Sequence, residues 1–512
     1  MKRWYCRLLM APPAGPASGK VRMLRLILQI FAGVMWAGGA GAQSLAGITW
    51  ECGFGGSGTE QGCAIQVTAD GGYIIGGWTD SFGAGGADAC LVKLDRSGVL
   101  VWQAAFGGPL DDYGQSVQQT QDGGYILGGY TQSYGTGDYD MYMIKTDASG
   151  NCVWQKTFGG SDYDVCRSVQ QTRDGGYILG GDSRSFGFDC DMYLVKTDSR
   201  GELEWQAASG DPENDYCLTV QQTPDGGYLQ GGDCEVWTGT RRYDWDMCLR
   251  KTDDQGRLEW RKTYGGPFND GCRAVQMTRD GGWILAGDSS PGPGCAFDAF
   301  LVKVDSRGQR QWQRTYGSPE WDEAHAVIQT QDGGYLLAGC SEWFGDFDAY
   351  LVKTDPAGRP LGESLVGGPD HECAYALLEP VPGAWLVAGG RETGDGSGDL
   401  LLAGSQGLMP ATCLHPGRSW SDDLAFRGGC KSHGLDSVTF HLPEGCKVWL
   451  EVCDVAGRAV QIRQHPPLPS GVWLPAGRHE LACDCRHLPS GVYFARLTAG
   501  HRTEVQKLVV LR

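Results

Sequence analysis

Between Ser168 and Thr172 the chain runs Ser-Val-Gln-Gln-Thr, and this strand-like pattern breaks at Asp174-Gly175-Gly176. Period-two alternation is the mark of a half-buried strand, and glycines after an aspartate supply the positive φ that a tight hairpin needs. A second apolar run, Tyr177-Ile178-Leu179, is expected to stop at Gly180-Gly181, and Met192-Tyr193-Leu194-Val195-Lys196 reads as a third strand. Asp198-Ser199-Arg200-Gly201 has the form of a type I turn with glycine in the left-handed position. A fourth strand then carries Leu203 and Trp205 on one face and ends at Gly210. The 3.6-residue period of helical repeats is absent.

The unit recurs. Asp-Gly-Gly followed by Tyr or Trp begins at Asp70, Asp122, Asp174, Asp225, Asp280 and Asp332, and a degenerate copy, Pro-Gly-Ala-Trp, begins at Pro382. The intervals are 52, 52, 51, 55, 52 and 50 residues, and four strands in a period near fifty predict the blades of a β-propeller. The fourth-strand tryptophan recurs at Trp50, Trp102, Trp154, Trp205, Trp260 and Trp312, with Gly362 in the seventh slot. Ile48-Thr49-Trp50 is thus a fourth strand with no first three before it. The last copy, Ala384 to Ala403, has no fourth strand after Gly404. The leading strand is expected to complete the last blade, closing a ring of seven and removing the exposed sheet edges.

Composition agrees with an all-β, turn-dense chain: 81 of 512 residues are Gly, 41% are apolar and 18 are Trp. A net charge of -18 argues against nucleic acid or an anionic membrane as partner and permits cations. Lys20, Arg22 and Arg25 precede the apolar run Leu26 to Trp36, and Ala40-Gly41-Ala42 is a signal-peptidase motif that places the cut between Ala42 and Gln43. The run is too short for a good membrane span. Residues 1–22 are long and Pro-containing for such a signal, and Met23 is the expected start. An exported chain can form disulfides, but 19 of the 20 Cys follow the signal, an odd number, and their pairing is not legible. Cys166, Cys217 and Cys272 share one repeat position and are expected to be buried small groups, not partners. No C-x-x-C pair of zinc spacing occurs and the propeller holds only His325 and His371, so spacing points to no His/Cys metal site.

A Gly-Gly doublet at Gly128-Gly129, an aromatic at Tyr142 and Trp154 resemble the kelch propeller repeat. The doublet persists at Gly76-Gly77, Gly180-Gly181 and Gly231-Gly232 and becomes Ala-Gly at Ala286, Ala338 and Ala388. The resemblance implies blade topology, not partners. The stretch Lys145 to Gly150 leading to Trp154 is also similar to the turn of pyrroloquinoline-quinone propellers, but the adjacent cysteines typical of that family are missing. Residues 405–434 read as a Gly/Ser/Pro-rich linker. From 435 to 512, strands return with short turns, as in an Ig-like β-sandwich. Here Val455-Ala456-Gly457-Arg458, Leu488-Pro489-Ser490-Gly491-Val492-Tyr493-Phe494 and the closing Gln506 to Arg512 resemble the C-terminal sorting domain of the type IX secretion system. That resemblance implies a bacterial address tail read by outer-membrane machinery. The expected organisation is an export signal over 1–42, a propeller over 43–404, the linker, and the sorting module.

Loops from strand two to three and from blade to blade share one face of the disc, and they are where the copies differ, as a binding face on a fixed scaffold would. An Asp precedes strand three in every copy: Asp88, Asp140, Asp191, Asp246, Asp298, Asp348 and Asp399. Four copies read Asp-x-Asp, adding Asp138, Asp189, Asp244 and Asp346. These pairs could ligate Ca²⁺, although the remaining ligands are not locatable, and a sevenfold Asp is better explained as a loop cap bonding backbone N–H groups. No other cofactor is implied. The aromatics Tyr134, Phe186, Trp237, Trp245, Trp321, Trp343 and Phe344 lie in the same loops and are the candidate ligand contacts. No catalytic constellation stands out. The sequence favours a secreted or cell-surface, non-catalytic propeller binding a protein or glycan, over a carbohydrate-active enzyme or a structural exoprotein.

Overall fold

The computed structural model describes residues 48–405, except 55, 57, 188, 211, 238–242, 293–294, 343–346, 368–370 and 393–397, and the strands between 427 and 510. Every described element is a β-strand. No helix among the described residues is long and apolar enough to cross a membrane. The export signal with its cut at Ala42 and Gln43, and the candidates Trp343, Phe344 and Asp346, lie outside the described residues.

The chain divides into two units, Met1–Leu414 and His415–Arg512. The first holds seven four-stranded antiparallel sheets. Blade three is representative, with strands Asp164–Gln171, Tyr177–Ser183, Asp191–Thr197 and Leu203–Ser209 paired in sequence order. The seventh sheet joins three late strands to the first strand of the chain. Ile48–Phe54 runs antiparallel to Gly398–Ser405, with Trp50 opposite Gly404 and Phe54 opposite Leu400. Circular completion at seven is as the repeat arithmetic requires, and the closing strand continues four residues past Trp50. First strands of successive blades touch around the whole ring, blade seven meeting blade one, so they line the central axis. Among the described residues, the second unit shows eight strands in two four-stranded antiparallel sheets, beginning with Arg427–Lys431.

The glycine doublet does not end the second strand as expected. That strand runs on through it, from Tyr177 to Ser183. The glycines answer to packing. A Cβ on Gly181 would sit 1.8 Å from the Val165 carbonyl oxygen of the paired strand, and that strand carries a bulge at the same place. A Cβ on Gly180 would sit 2.7 Å from Val220 Cβ and 3.3 Å from Cys217 Sγ, both in the next blade. Gly128 likewise faces Val169 and Cys166. Where the first glycine is replaced, at Ala286 and Ala338, the residue in the Cys position of the next blade is Ala324 and Ala374. At these joints the two sides trade volume, keeping the seam near close packing, whereas the joint of Gly76 with the next blade has Gly114 in the Cys position and Val117 fills it. Cys166, Cys217 and Cys272 are accordingly buried free thiols, whereas Cys234 and Cys248 form a disulfide within blade four.

Two further contacts repeat around the ring. The fourth-strand tryptophans reach into the next blade: Trp102 meets Tyr125, Trp154 meets Tyr177, Trp205 meets Tyr228 and Trp312 meets Tyr335, edge to face at 5.7 to 5.8 Å. Each Asp-Gly-Gly turn is held by a lysine of the third strand, buried in five of the six copies and partly buried at Lys353. Asp122 accepts from Thr120 Oγ1, from Gly124 N and from Lys145 Nζ, which also donates to the Thr146 carbonyl. The same ion pair occurs at Asp70–Lys93, Asp174–Lys196, Asp225–Lys251, Asp280–Lys303 and Asp332–Lys353. In the degenerate seventh copy Pro382 replaces the Asp, and Gly404, opposite Leu386, replaces the Lys. Both members of the pair are lost together.

Candidate functional site

On the variable-loop face, the Asp that opens each third strand organises its own loop. Asp88 Oδ2 accepts from Ala84 N at 2.7 Å, and Asp140 Oδ2 accepts from Thr136 N and Gly137 N at 2.8 and 3.0 Å. A second acidic ring stands at the start of the first strands: Glu60, Asp112, Asp164, Asp215, Asp270, Asp322 and Glu372, all buried. Asp112 Oδ2 accepts from Gly108 N and Ser133 Oγ, both at 2.7 Å, and Asp164 repeats the set with Gly160 N and Ser185 Oγ. The two rings meet between blades, where a Cβ on Gly107 would lie 2.0 Å from Asp88 Oδ1 and 2.5 Å from Asp112 Oδ2. Burial and then the Asp112 charge raise the Asp88 carboxyl. The sequence reading missed this second ring, although each member stands ten residues before its turn motif.

The Asp-x-Asp pairs are not alike. Asp138 and Asp189 are exposed beside the buried Asp140 and Asp191, whereas Asp244 and Asp246 belong to the long strand Tyr243–Thr252. Asp348 opens the third strand of blade six. Burial, then the Asp270 and Asp244 charges, push Asp246 up to about 7.

The aromatic candidates sit on different blades, and most lean on the scaffold. Tyr134 donates its hydroxyl to the Gly107 carbonyl and packs at 5.8 Å from Tyr142. Phe186 packs on Tyr193, Trp245 on Tyr216 and Trp321 on Phe297 at 4.9 to 5.3 Å. Trp237 differs. It ends the second strand of blade four, Tyr228–Trp237, which is three residues longer than most second strands in the ring, and 48% of its surface is open. It lines a shallow cleft of about 320 Å³ with Glu213, Glu235, Val236, Arg261 and Thr263. Glu235 Oε2 is held by Asn214 Nδ2 at 2.9 Å, and Arg261 is anchored 3.5 Å from the buried Asp215.

Along the axis, every first strand carries a bulge, at Cys63, Gln115, Arg167, Leu218, Arg273, His325 and Tyr375. A bulge re-aims the extra side chain. Arg167 pairs with Asp182 at 3.6 Å and lies over the Tyr130 ring, and Arg273 pairs with Asp288 at 3.1 Å and Asp233 at 3.8 Å. Beside Arg273, Glu323, His325 and Cys340 present one carboxylate, one imidazole and one thiol within 4.8 Å of one another. Burial, then Arg273, lower the His325 imidazole to about 3, so it is neutral. Sequence spacing hid this cluster because Cys340 meets Glu323 only through cross-strand register.

No family model matches the chain, and no curated protein does. Solved structures similar to it include a protein of unknown function from Dyadobacter fermentans DSM 18053, with 12% identity over 70% of this chain and 98% of that one, at a TM-score of 0.40. Sqt1 from Chaetomium thermophilum has 14% identity over 77% and 96%, also at 0.40. A mutant Trypanosoma rangeli sialidase displaying trans-sialidase activity has 10% identity over 80% and 88%, at 0.34. Likenesses at this level say nothing about activity.

Proposed function

We propose that the protein is an exported, kelch-like propeller that binds a glycan without turning it over, through the cleft of blade four. The observation that carries this reading is Trp237, open over 48% of its surface beside two carboxylates, a guanidinium and a hydroxyl. An exposed indole stacks on the apolar face of a sugar ring, and flanking charged groups bond its hydroxyls. The other loop aromatics shape that face. The leader over 1–42 directs export, and the 435–512 module engages the type IX machinery, leaving the propeller secreted or at the cell surface.

The test is a glycan array probed with the full chain and with Trp237→Ala. An anchor tryptophan is worth roughly 2 kcal/mol or more, so the substitution weakens binding about thirtyfold. A glycan bound equally by both proteins overturns the assignment of the cleft. Product release from a bound glycan, abolished by Glu213→Gln or Glu235→Gln, replaces the binding module with a carbohydrate-active enzyme.

A further inference from the structure

Glu323 and His325 lie two residues apart on the first strand of blade six, Asp322–Gln329, and Cys340 on the second strand stands directly opposite Glu323. We propose that Glu323, His325 and Cys340 bind a divalent transition-metal ion of the zinc class in the wall of the axial channel, a site separate from the blade-four cleft and independent of what that cleft binds.

Zinc lies about 2.3 Å from thiolate sulfur, about 2.0 Å from imidazole nitrogen and about 2.1 Å from carboxylate oxygen, so tetrahedral edges are about 3.5 Å from nitrogen to sulfur and about 3.4 Å from nitrogen to oxygen. His325 Nε2 is 3.5 Å from Cys340 Sγ and 3.4 Å from Glu323 Oε2. A ring nitrogen offers one N–H or one lone pair, so His325 hydrogen-bonds one of these neighbours at a time; the Cys340 thiol also meets the neighbouring Cys373 thiol, and a cation among the three donors draws on all of them.

The nearby Arg273 charge is offset by its pairing with Asp288 and Asp233, and the other surroundings orient the donors. Trp321 Nε1 donates to Glu323 Oε1 at 2.5 Å, leaving Oε2 on the His325 side. An outer N–H of this kind orients a ligating carboxylate. The Tyr375 ring flanks the imidazole with centroids 5.1 Å apart. A thiolate with an imidazole selects zinc-class ions over calcium or magnesium, which prefer all-oxygen sites. On binding, the Cys340 thiol gives its proton to solvent and sulfur becomes the donor.

The experiment titrates the reduced, chelator-dialysed full chain with Co²⁺ as spectroscopic probe and then with Zn²⁺. One equivalent of Co²⁺ is expected to produce a thiolate-to-cobalt charge-transfer band with the strong visible bands of a four-coordinate ion, and one equivalent of Zn²⁺ is expected to bleach both. Cys340→Ser removes the charge-transfer band, while Cys152→Ser, at an exposed cysteine, leaves it. If Cys340→Ser does not fold, Trp321→Phe decides, because it keeps all three donors and weakens zinc binding about 10- to 100-fold. No band at one equivalent, a band that survives Cys340→Ser, or unchanged affinity in Trp321→Phe overturns the site. So does peptide mapping that finds Cys340 disulfide-bonded to the adjacent Cys373 in the exported protein, since a disulfide sulfur is no longer a thiolate.

Discussion

The volume exchange between blades makes a double-mutant prediction that can be worked from contact distances. A Cβ added at Gly128 would lie 2.8 Å from Val169 Cβ and 3.0 Å from Cys166 Sγ, both across the blade seam. Comfortable separation of carbon atoms is about 3.5 to 4.0 Å, so the seam must open by several tenths of an ångström or distort rotamers. Overpacking of this kind destabilises by roughly 1 to 3 kcal/mol, and the reduced freedom of the unfolded Ala chain offsets about 0.4 to 1 kcal/mol of that. Gly128→Ala is therefore expected to lower stability by about 1 to 2 kcal/mol. Ala286 with Ala324, which packs beside Val327, shows the relaxed form of the same joint. Gly128→Ala combined with Cys166→Ala should thus recover at least half of the loss, a coupling of roughly 0.5 kcal/mol or more. Urea unfolding of the four proteins in the cycle measures it. If the two single losses simply add, with Cys166→Ala giving no relief to Gly128→Ala, then the Gly/Cys and Ala/Ala alternation is coincidence and the packing argument fails.

Stability should peak in mildly acid solution. The Thr68 hydroxyl, with Gly72 N and Lys93, holds Asp70 at about 2 against burial. At Asp122, Asp280 and Asp332 burial opposes ionisation, but the neighbouring threonine and lysine bring each carboxyl to about 2. Groups lowered in the folded state contribute above the unfolded value near pH 4, and that contribution is lost as pH falls from about 4 to about 2. Asp246, and Asp215 where burial outweighs Arg250, are instead raised to about 7, so the folded state keeps protons the unfolded chain has shed and stability declines as pH rises from about 4 to about 7. Denaturation midpoints from pH 2 to 8 should trace both limbs, with Asp246→Asn flattening the upper one; a midpoint that climbs steadily from pH 5 to 7.5 contradicts this. In the turn clamp, Asp122→Ala strands the buried Lys145 ammonium and should destabilise by roughly 2 to 3 kcal/mol, more than Lys145→Met, which removes the charge as well. Equal losses in the two variants would mean that the ion pair itself contributes little beyond the turn.

Repeat spacing was enough to count the blades, place the hairpins and close the ring, because each blade is an autonomous local pattern of strand, glycine turn and strand. The loop-cap reading of the repeated Asp is likewise local chemistry: Asp140 bonds N–H groups three and four residues away. What the chain order could not display is everything that depends on neighbours brought together by the ring. The doublet glycines looked like stops because their reason lies in the paired strand and the next blade, at Val165 and Val220. The candidate aromatics looked like one platform, yet Tyr134, Phe186 and Trp245 spend their rings on the scaffold, and only Trp237 borders the cleft of blade four among the described residues. Glu323 and His325 stand two residues apart in the chain without any signal marking them, and Cys340 joins them through antiparallel register and a bulge that turns His325. Periodicity along the chain sufficed for blade number and turn chemistry, since both arise within a few residues. Only the closed ring decided which side chains share a seam, a cleft or the channel, because register and blade-to-blade packing set those distances.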